Sequence, residues 1–470
     1  VCSRAYYYSA RGAQEFLGSK PMVLVNQLVL ETNMNIEQIM SLKEGLVEFL
    51  RPFETSFAQR QGMENLEAYS VGLLTDVKRK SIEPIALAAG KDERTLQWFL
   101  AQGAWDHDQA RAMMHYRVAA RRDKLRIGVL DASGHVKKGN KTPGVQRQWC
   151  GEVGKKENCV VGQHLLYTNN DPDNPFSCML ASDLFLPESW DQDRERCRAA
   201  KIPDAIVHRT KWRIGIDQLE LAIGHGVRFD WVTFDEDYGN NAQFWFELDR
   251  LGLRAIGEVR ATFFVWATPP ACHSGRAEHA AKRVDHRVTY SPAFRTQPWV
   301  RHRIKTTTVA HADWEVKAAP VQLVYEPGRH RHDARSVPSP RRYWLIAARH
   351  GASGEIKYFV SNALDATIEE MLQAAWTRWH VEKWFERAKQ EVGLGAFEMR
   401  NYPGLMRHWL ICSMVMLFLT EQTNRLRGEK SGDHLRAGGP GGEPDCLASL
   451  GPAAPEHPAP GQDQLLLPAS

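Results

Sequence analysis

The sequence lacks an uninterrupted apolar run of the ~18 residues that a membrane-spanning helix needs. The nearest candidate, Trp409 to Leu419, is shorter and contains Cys412 and Ser413, and its pattern indicates a buried helix. The first residues, VCSRAYYYSARG, lack the basic segment and long apolar core that are typical of a secretory signal. We therefore expect no membrane association and a cytoplasmic location.

Motifs of several common enzyme and metal-binding classes are also missing. The 8 cysteines are scattered and form no C-x-x-C pair, which indicates reduced thiols rather than a disulfide framework or a zinc knuckle. No G-x-S-x-G segment is present, so a Ser-His-Asp hydrolase is not supported. No pair among the 18 histidines has a partner at zinc-binding spacing.

Charge of one sign is not in excess over the whole chain. The 60 Lys and Arg residues and 56 Asp and Glu residues give a net charge of +4, which does not by itself indicate a nucleic-acid partner. Positive charge is instead concentrated in residues 281–305, with seven basic residues against one acid, and in 326–342, with five arginines against two acids. The location of the charge is therefore more informative than its sum.

Length and patterning predict an α/β protein with several segments. With 470 residues, 43% apolar and 25% charged, the chain is of ordinary globular composition and long enough for about three domains. We leave residues 1–20 unassigned. The segments that we assign are a helical domain at 21–122, a core at 123–261 that resumes at 341–427, a basic β-rich insertion at 262–340, and a disordered tail at 428–470 that is rich in Gly, Pro and Ala.

The core assignment depends on strands that alternate with helices. The strand candidates are LRIGVLDASG from 125, CVVGQHLLYT from 159, part of GVRFDWVTFDEDYG from 226, LRAIGEVRA from 253, RYWLIAAR from 342 and IKYFVSNAL from 356. The helix candidates include IGIDQLELAIGHG, which ends in glycine, and one long helix from about Thr367 to Val392. In the N-terminal region, Asp106 is a candidate N-cap.

Three acids in separate parts of the chain could act together. Asp131 closes the predicted strand RIGVLD, Asp235 closes WVTFD, and Glu382 lies in the late helix. If these acids met, their mutual repulsion would require divalent cations between them, as in a two-metal phosphoryl-transfer site. The alternative is that the first two merely cap the turns that follow their strands.

The late helix carries two cations beside its acid. At about 100° per residue, Arg378, Glu382 and Lys389 fall at roughly 0°, 40° and 20°, so they share a narrow face next to an apolar stripe. They can therefore reach inward. The alternative is an exposed ion pair between Arg378 and Glu382 at i,i+4 spacing.

These motifs resemble those of the DDE-type insertion-sequence transposases. RWHVEKWFERAK matches the R-x3-E-x6-K part of the family's Y-x2-R-x3-E-x6-K signature, and the signature's tyrosine falls on Ala375, beside Trp376. The segment from VLDASGHVKKGNK is similar to the family's first-aspartate block. ASDLFLPESW and FDWVTFDEDYGNN are similar to its middle blocks, and YFVSNAL and VGLGAFEMRNYPGLMRH to its closing ones. The resemblance covers roughly residues 65–420.

The resemblance implies a fold, a reaction and a set of site residues. The fold is an RNase H-like catalytic core interrupted by the β-rich insertion and preceded by the helical N-terminal domain. The catalytic and metal-binding residues would be Asp131, Asp235 and Glu382, holding two Mg²⁺ ions that Mn²⁺ could replace. The protein would cut phosphodiester bonds at insertion-sequence ends and join the 3′ ends to target DNA, using no small-molecule cofactor. It would bind double-stranded DNA, both the element ends and the target, as a homodimer or larger assembly, and the N-terminal helices would bind the element ends.

Two kinds of basic segment are candidates for DNA-phosphate contact. Arg378 and Lys389 match the signature cations, and Lys137, Lys138, Lys141 and Arg147 form a basic loop soon after Asp131. In the insertion, the aromatic residues Tyr290, Phe294 and Trp299 lie among the basic residues, a composition that suits backbone contact with base stacking. A solvated charged turn is the alternative for the loop.

Two other functions fit the same residues. The first is a DNA-binding protein without catalysis, either a decayed copy of such a transposase or one recruited by its host, which the replacement of tyrosine by Ala375 favours. The second is a nuclease that cuts DNA but does not join it. Asp237 and Glu236 are alternatives to Asp235 if the alignment is displaced by one or two residues.

Overall fold

The computed structural model describes residues 36–75, 77, 79–273, 276–304, 312–325 and 337–436. The assignments made for residues 1–20 and for most of the final tail, and much of the basic stretch at 326–342, lie outside the described residues. Fifteen α-helices run in chain order through this part of the chain. They are α1 (Ile36–Leu50), α2 (Arg60–Leu74), α3 (Ile82–Ala88), α4 (Glu93–Ala101), α5 (His107–Ala119), α6 (Glu188–Asp191), α7 (Arg194–Ala199), α8 (Lys211–Gly224), α9 (Glu236–Gly239), α10 (Ala242–Arg250), α11 (Val284–Tyr290), α12 (Pro292–Arg295), α13 (Ile368–Trp376), α14 (Trp379–Glu391) and α15 (Tyr402–Arg436).

The helices surround a large mixed β-sheet, which confirms the α/β class. Its strands are β1 (Ile127–Val136), β2 (Gln146–Cys150), β3 (Lys155–Thr168), β4 (Ser177–Leu184), β5 (Trp231–Phe234), β6 (Ala255–Val259), β7 (Phe264–Trp266), β10 (Lys282–Arg283), β11 (Val300–Ile304), β12 (Ala312–Tyr325), β13 (Val337–Pro338), β14 (Tyr343–His350) and β15 (Ile356–Ser361), while β8 (Cys272–His273) and β9 (Arg276–Ala277) pair separately. The main path through the sheet is β10-β7-β12-β14-β15-β6-β5-β1-β3-β2.

Parallel pairing is confined to the centre of this sheet. β5 pairs in parallel with β1 on one side and with β6 on the other, and the remaining described ladders are antiparallel. The central strands are almost continuously buried: all four residues of β5 and nine of the ten in β1 are buried or nearly so. Strands buried on both faces carry such uninterrupted apolar runs, which is why the sequence predicts them well.

Apart from β8 and β9, the described strands of residues 262–340 continue the same sheet. β12 pairs antiparallel with β14 over eight residues, and β7 and β11 pair with β12 in turn. The prediction of β-type segments here is confirmed, and the long strand Ala312–Tyr325 covers the described part of TTTVAHADWEVKAAPVQLVY.

The N-terminal helices share one hydrophobic core with the sheet and α15. The ring of Phe49 packs 5.5 Å from that of Phe418, and the Tyr69 hydroxyl lies 2.8 Å from Nδ1 of His408. The predicted N-cap is confirmed, because the Asp106 side chain accepts hydrogen bonds from the first backbone N–H groups of α5. The described residues up to Leu426 form one compact unit, and the described residues from Arg427 belong to a second.

Two predicted boundaries at the C-terminal end are wrong. The single long helix from Thr367 to Val392 is two helices, α13 and α14, with a break at Thr377 and Arg378. The predicted disordered tail begins too early, because α15 continues to Arg436. The apolar run from Trp409 to Leu419 is buried within α15, as predicted.

The first part of α15 is long and apolar enough to span a membrane by length and composition. The segment Tyr402–Leu426 meets that test, but 89% of its apolar window is buried inside the protein. Its apolar side chains contact the sheet and the N-terminal helices, so packing within the protein accounts for their hydrophobicity.

Candidate active site

The register of the central strands brings the first two acids together. β1 and β5 run in parallel and are paired from Ile127 and Trp231 to Leu130 and Phe234. Asp131 and Asp235 each follow the last of these paired residues, so they emerge at the same edge of the parallel pair. Asp131 does not close its strand as predicted, because β1 continues to Val136 in its antiparallel pairing with β3.

Asp235 also caps the short helix that follows β5. Its Oδ1 accepts a hydrogen bond of 3.0 Å from the backbone N–H of Asp237. The capping role foreseen as an alternative is therefore real, and it orients one carboxylate oxygen while the carboxylate still lines the cavity described below.

The third acid arrives with α14. The helix is interrupted after α13, at Thr377. The Thr377 hydroxyl donates a hydrogen bond to the Gln373 carbonyl oxygen at 2.8 Å. Arg378 is the N-cap residue of the next helix, α14. Glu382 then lies in the first turn of the new helix, where the helix dipole favours a negative charge. Nη1 of Arg378 is 2.9 Å from Oε1 of Glu382 and 3.6 Å from Oδ2 of Asp131.

These residues line one cavity of about 790 Å³. Its charged lining is strongly acidic, with seven carboxylates and three cations: Asp131, Glu152, Asp235, Glu236, Asp237, Glu382 and Glu386 against Lys211, Arg378 and Lys389. The three acids and the two signature cations that the sequence singles out thus meet in one place. Such an excess of carboxylates repels a DNA phosphate unless cations offset it.

Asp131 and Asp235 lie in an environment that disfavours their negative charges. Burial, followed by the charge of Asp235, raises the pKa of Asp131, while Arg378 lowers it. Burial and then the charge of Asp237 raise the pKa of Asp235, and Arg378 again lowers it. Perturbed acids in a cleft are characteristic of functional sites.

The neighbouring acid Asp237 has different partners. Its Oδ2 is 3.0 Å from Nζ of Lys211 and its Oδ1 is 2.8 Å from Nη2 of Arg260. Asp237 thus has two ion-pair partners, whereas the charge of the half-buried Asp235 is offset by Arg378 at longer range. Between these two acids, Asp235 is therefore the more available for a further cation. Neither Lys211 nor its ion pair was foreseen, because nothing in the local spacing joins residue 211 to residue 237.

The donor set suits a hard divalent cation, which prefers carboxylate oxygens. Within the described part of the chain, however, no three His, Cys, Asp or Glu side chains lie close enough together to hold a metal ion as they stand. The Arg378 guanidinium contacts both Asp131 and Glu382. The positive charge of Arg378 therefore already offsets the charges of these two acids. Both can lie near the same arginine although they are not arranged as metal ligands.

Lys389 reaches the far side of the cavity. Its Nζ donates to the carbonyl oxygen of Gly134 at 3.1 Å and lies 3.6 Å from Oε2 of Glu152. Gly134 is required there, since a Cβ on this residue would lie 2.8 Å from the sulfur of Cys150. The signature lysine therefore joins α14 to β1 and to the turn after β2.

The basic loop divides into one structural lysine and three exposed cations. Nζ of Lys137 donates to the carbonyl oxygens of Gly395 and Phe397 at 2.7 and 2.8 Å, and lies 3.6 Å from the centre of the Phe397 ring. Burial lowers the pKa of Lys137 to about 8. In contrast, Lys138, Lys141 and Arg147 are exposed.

The aromatic residues of the insertion differ in their accessibility. Phe294 is fully buried, so it cannot stack on a base. Trp299 is covered by two cations, with Nζ of Lys317 and Cζ of Arg349 at 5.0 and 4.4 Å from its ring centre. Only Tyr290, which is 64% exposed, keeps a largely open ring among the three.

The position of the signature tyrosine carries no aromatic ring. Ala375 is buried, and the neighbouring Trp376 packs with its ring centre 4.6 Å from that of Trp314 and 5.9 Å from that of Phe359. Trp376 is absent from the cavity lining and so does not take the place of a tyrosine there.

Comparisons with known proteins identify a family and a relative. The chain matches the family described as DDE superfamily endonuclease over residues 52–313, a segment that includes Asp131 and Asp235 but ends before Glu382. The probable transposase for insertion sequence element IS701 of Microchaete diplosiphon is 24% identical over 363 residues, which cover 76% of this chain and 82% of that protein.

Two solved structures have low similarity to the fold. A piggyBac transposase synaptic complex with hairpin DNA gives a TM-score of 0.37 at 10% identity, covering 88% of this chain and 81% of that one. The NurA nuclease of Sulfolobus solfataricus gives 0.21 at 10% identity, covering 66% and 85%. The assignment depends instead on the family match, which spans more than half of the chain: the protein belongs to the DDE superfamily endonucleases.

Proposed function

We propose that the protein is a divalent-metal-dependent transposase that cuts DNA at insertion-sequence ends and joins the 3′ ends to target DNA. The observation that carries the proposal is the meeting of Asp131, Asp235 and Glu382, from three distant segments, in one acidic cavity. Membership of the DDE superfamily endonucleases and the similarity to a probable insertion-sequence transposase support the same reaction.

An RNase H-like core fits the observed topology. The strand carrying the first acid is central, its parallel neighbour β5 ends at the second acid, and α14 carries the third beside the same edge. The helices α1–α5 are the proposed element-end-binding region. We place the protein in the cytoplasm and expect a homodimer or larger assembly while two DNA ends are held together.

Asp131, Asp235 and Glu382 would hold two divalent cations, with Mg²⁺ the first choice and Mn²⁺ a substitute. Bound there, such ions supply activation of the attacking oxygen and stabilisation of the leaving one. The positive charges of these ions would offset the mutual repulsion of the acids. The cavity could then accept a negatively charged phosphate. Removing metal with EDTA should therefore abolish both cleavage and joining.

The cations of the chain would position the DNA. Arg378 can make two parallel hydrogen bonds to phosphate oxygens and Lys389 can act as a point charge. Lys138, Lys141 and Arg147 would contact the backbone farther from the cut.

The reaction would proceed in two steps. In the first step a water oxygen attacks phosphorus and the bond to the 3′ oxygen breaks, leaving a 3′-hydroxyl. In the second step that hydroxyl attacks a target phosphodiester and displaces the target's own 3′ oxygen.

The proposal is tested with Asp131→Asn, Asp235→Asn and Glu382→Gln on DNA carrying the sequences that flank the gene on both sides. Loss of a metal-binding acid removes several kcal/mol of transition-state stabilisation, so cleavage in Mg²⁺ should fall about a thousand-fold or more. Glu386→Gln is the matched control, since Glu386 lines the same cavity one turn farther along α14. Parent-like cutting by the three variants rejects the assignment.

A second candidate is a DNA-binding protein derived from such a transposase without catalysis. The absence of an aromatic ring at Ala375 and the inward packing of Trp376 favour it. It predicts binding to the element ends that persists in EDTA and no nicking in Mg²⁺ or Mn²⁺. A pre-cut end that is joined to a target plasmid would exclude both this candidate and a nuclease that only cuts.

A further inference from the structure

The hairpin formed by β2 and β3 presents an exposed face beside the cavity. β2 is the last strand on its side of the sheet and pairs with β3 so that Arg147 lies opposite Asn158 and Trp149 opposite Lys156. Side chains two residues apart on a strand, and those directly opposite across a ladder, point to the same side. Arg147, Trp149 and Lys156 therefore share one side of the hairpin, which we call the hairpin face.

Trp149 is an unusual residue to find on this face. It is 60% exposed, although a tryptophan ring gains most by being buried, and it is part of the cavity lining that includes Asp131 and Asp235. Within the described residues, no other tryptophan lines that cavity. An open aromatic ring at the edge of a proposed phosphodiester-cutting site is suited to stack on a flat partner.

The surroundings of Trp149 on the hairpin face are cationic. Arg147 precedes it by two residues and Lys156 lies directly across the ladder, and both are exposed. Of the two acids of the hairpin, Glu157 points to the opposite side, where it is 3.6 Å from Lys155, and Glu152 lies in the turn, 3.6 Å from Lys389.

The basic loop is fixed to the same hairpin. The side-chain amide of Asn158 donates to the carbonyl oxygens of Lys137 and Gly139, both at 2.8 Å. Gly139 has a φ of 78°, a conformation that favours glycine and allows the loop to turn there. The exposed Lys138 and Lys141 are thus attached to the hairpin and extend its positive charge away from the cavity.

We propose that the hairpin face binds an unpaired DNA strand next to the cut, with the ring of Trp149 stacked on a base and Arg147 and Lys156 on the flanking phosphates. The inference rests on the proposed function and specifies the state of its substrate. Within a duplex, each base is already covered on both sides by its neighbours, so a single protruding ring can stack only on a base that has left the helix or lies in an overhang.

The test measures binding rather than cutting. The probes are a blunt duplex and the same duplex with a short single-stranded overhang that carries 2-aminopurine, whose fluorescence falls on stacking. Both are titrated with the full-length protein in EDTA. We expect the parent to prefer the overhang and to quench its fluorescence. Trp149→Ala should bind the overhang roughly 5- to 150-fold more weakly and lose the quenching, with little change on the blunt duplex.

Two further variants separate stacking from folding. Trp149→Phe keeps an aromatic ring and should retain part of the overhang preference and of the quenching. Trp379→Ala removes another half-exposed tryptophan, one outside the cavity lining, and should behave as the parent does. Parent-like overhang binding and quenching by Trp149→Ala, or an equal loss on both probes, overturns the inference.

Failure of the proposed function has a different signature. If the parent protein cuts no DNA in Mg²⁺ or Mn²⁺ but its overhang preference still depends on Trp149, the hairpin face remains a single-strand binding surface and only the catalytic proposal falls. If the parent cuts but shows no overhang preference, the catalytic proposal stands and this inference falls.

Discussion

Arg378 determines the electrostatic state of the acidic cavity at the scale of single residues. Its guanidinium lies within 3.6 Å of Asp131 and 2.9 Å of Glu382, and its charge also lowers the pKa of Asp235. Acids brought this close are costly without a counter-charge. Arg378 therefore already acts as a counter-charge to these acids, and the phosphate contact proposed for it would be a second role.

Arg378 does not fully offset the free-energy cost of holding the Asp131 carboxylate ionised, and the remaining cost can be measured. Burial and the charge of Asp235 raise its pKa above the ~3.9 of an exposed aspartate, so folding favours the protonated acid. That contribution to stability is present below the unfolded-state pKa and is lost as the pH rises through the raised folded-state pKa. In EDTA, Asp131→Asn should therefore be more stable than the parent at pH 8, by on the order of 1–3 kcal/mol, and the difference should shrink toward pH 4.

Urea denaturation at a series of pH values checks this expectation. Asp173→Asn is the control, because Asp173 is exposed in the turn between β3 and β4. A difference between parent and Asp131→Asn that is the same at both ends of the pH range would mean that Asp131 is not held in an unfavourable environment.

The acids and the Arg378–Glu382 ion pair were predictable from the sequence, whereas the partners that come from distant segments were not. Asp131 and Asp235 stand out because apolar runs lead into them, and those runs are the buried central strands. Trp149 attracts no attention in QRQWC, because its exposure and its place beside the cavity depend on how β2 pairs with β3. Lys137 was grouped with its neighbours for the same reason, since the carbonyl groups that hold it lie about 260 residues away.

At the scale of elements, the break between α13 and α14 has a functional consequence. The apolar pattern of residues 367–392 continues through Thr377 without interruption, so periodicity predicts one helix. The break depends on local hydrogen bonds, such as that from Thr377 to the Gln373 carbonyl oxygen, which periodicity does not report. Because of the break, Arg378 and Glu382 lie at a helix start, where the helix dipole stabilises the carboxylate.

The loop after β1 offers a prediction at the same scale. Lys137→Met keeps the apolar stem but removes the donor to two carbonyl groups, so it should lower the free energy of unfolding by about 1–3 kcal/mol. Lys138→Met removes an exposed charge, so it should leave stability unchanged and weaken DNA binding, with the slope of log K against log salt reduced by about 1. Urea titration and salt-dependent binding measure the two effects.

The two lysines are each other's control, since they are adjacent and of the same type. If Lys137→Met weakened DNA binding and left the free energy of unfolding unchanged, the Lys137 ammonium group would contact DNA. Its hydrogen bonds to the carbonyl oxygens of Gly395 and Phe397 would then not be what stabilises the loop. If Lys138→Met changed only stability, the loop would not be a DNA contact.

At the scale of the whole molecule, the N-terminal helices belong to the same compact unit as the acidic cavity. The sequence predicts them as a separate domain because their helical pattern ends before the first strand. In the structure their apolar faces are buried against α15, and Arg117 pairs with Glu421 at 2.6 Å. Contacts between residues about 300 positions apart leave no trace in local periodicity, so the sequence indicates the helices but not what covers them. If these helices bind DNA as proposed, that DNA would be held by the same hydrophobic core that carries the acids.

Arg407 of α15 gives a direct test of that unity. Its guanidinium is buried and donates to the carbonyl oxygens of Phe99, Leu100 and Trp105, at 3.4, 3.0 and 3.2 Å. Arg407→Ala leaves these groups without their donor, and we expect the free energy of unfolding to fall by about 2–4 kcal/mol. Because both sides share one core, calorimetry should show a single transition at a lower temperature, while the exposed control Arg400→Ala leaves it unmoved. Two transitions, only one of them shifted, would mean that the N-terminal helices fold independently of the sheet.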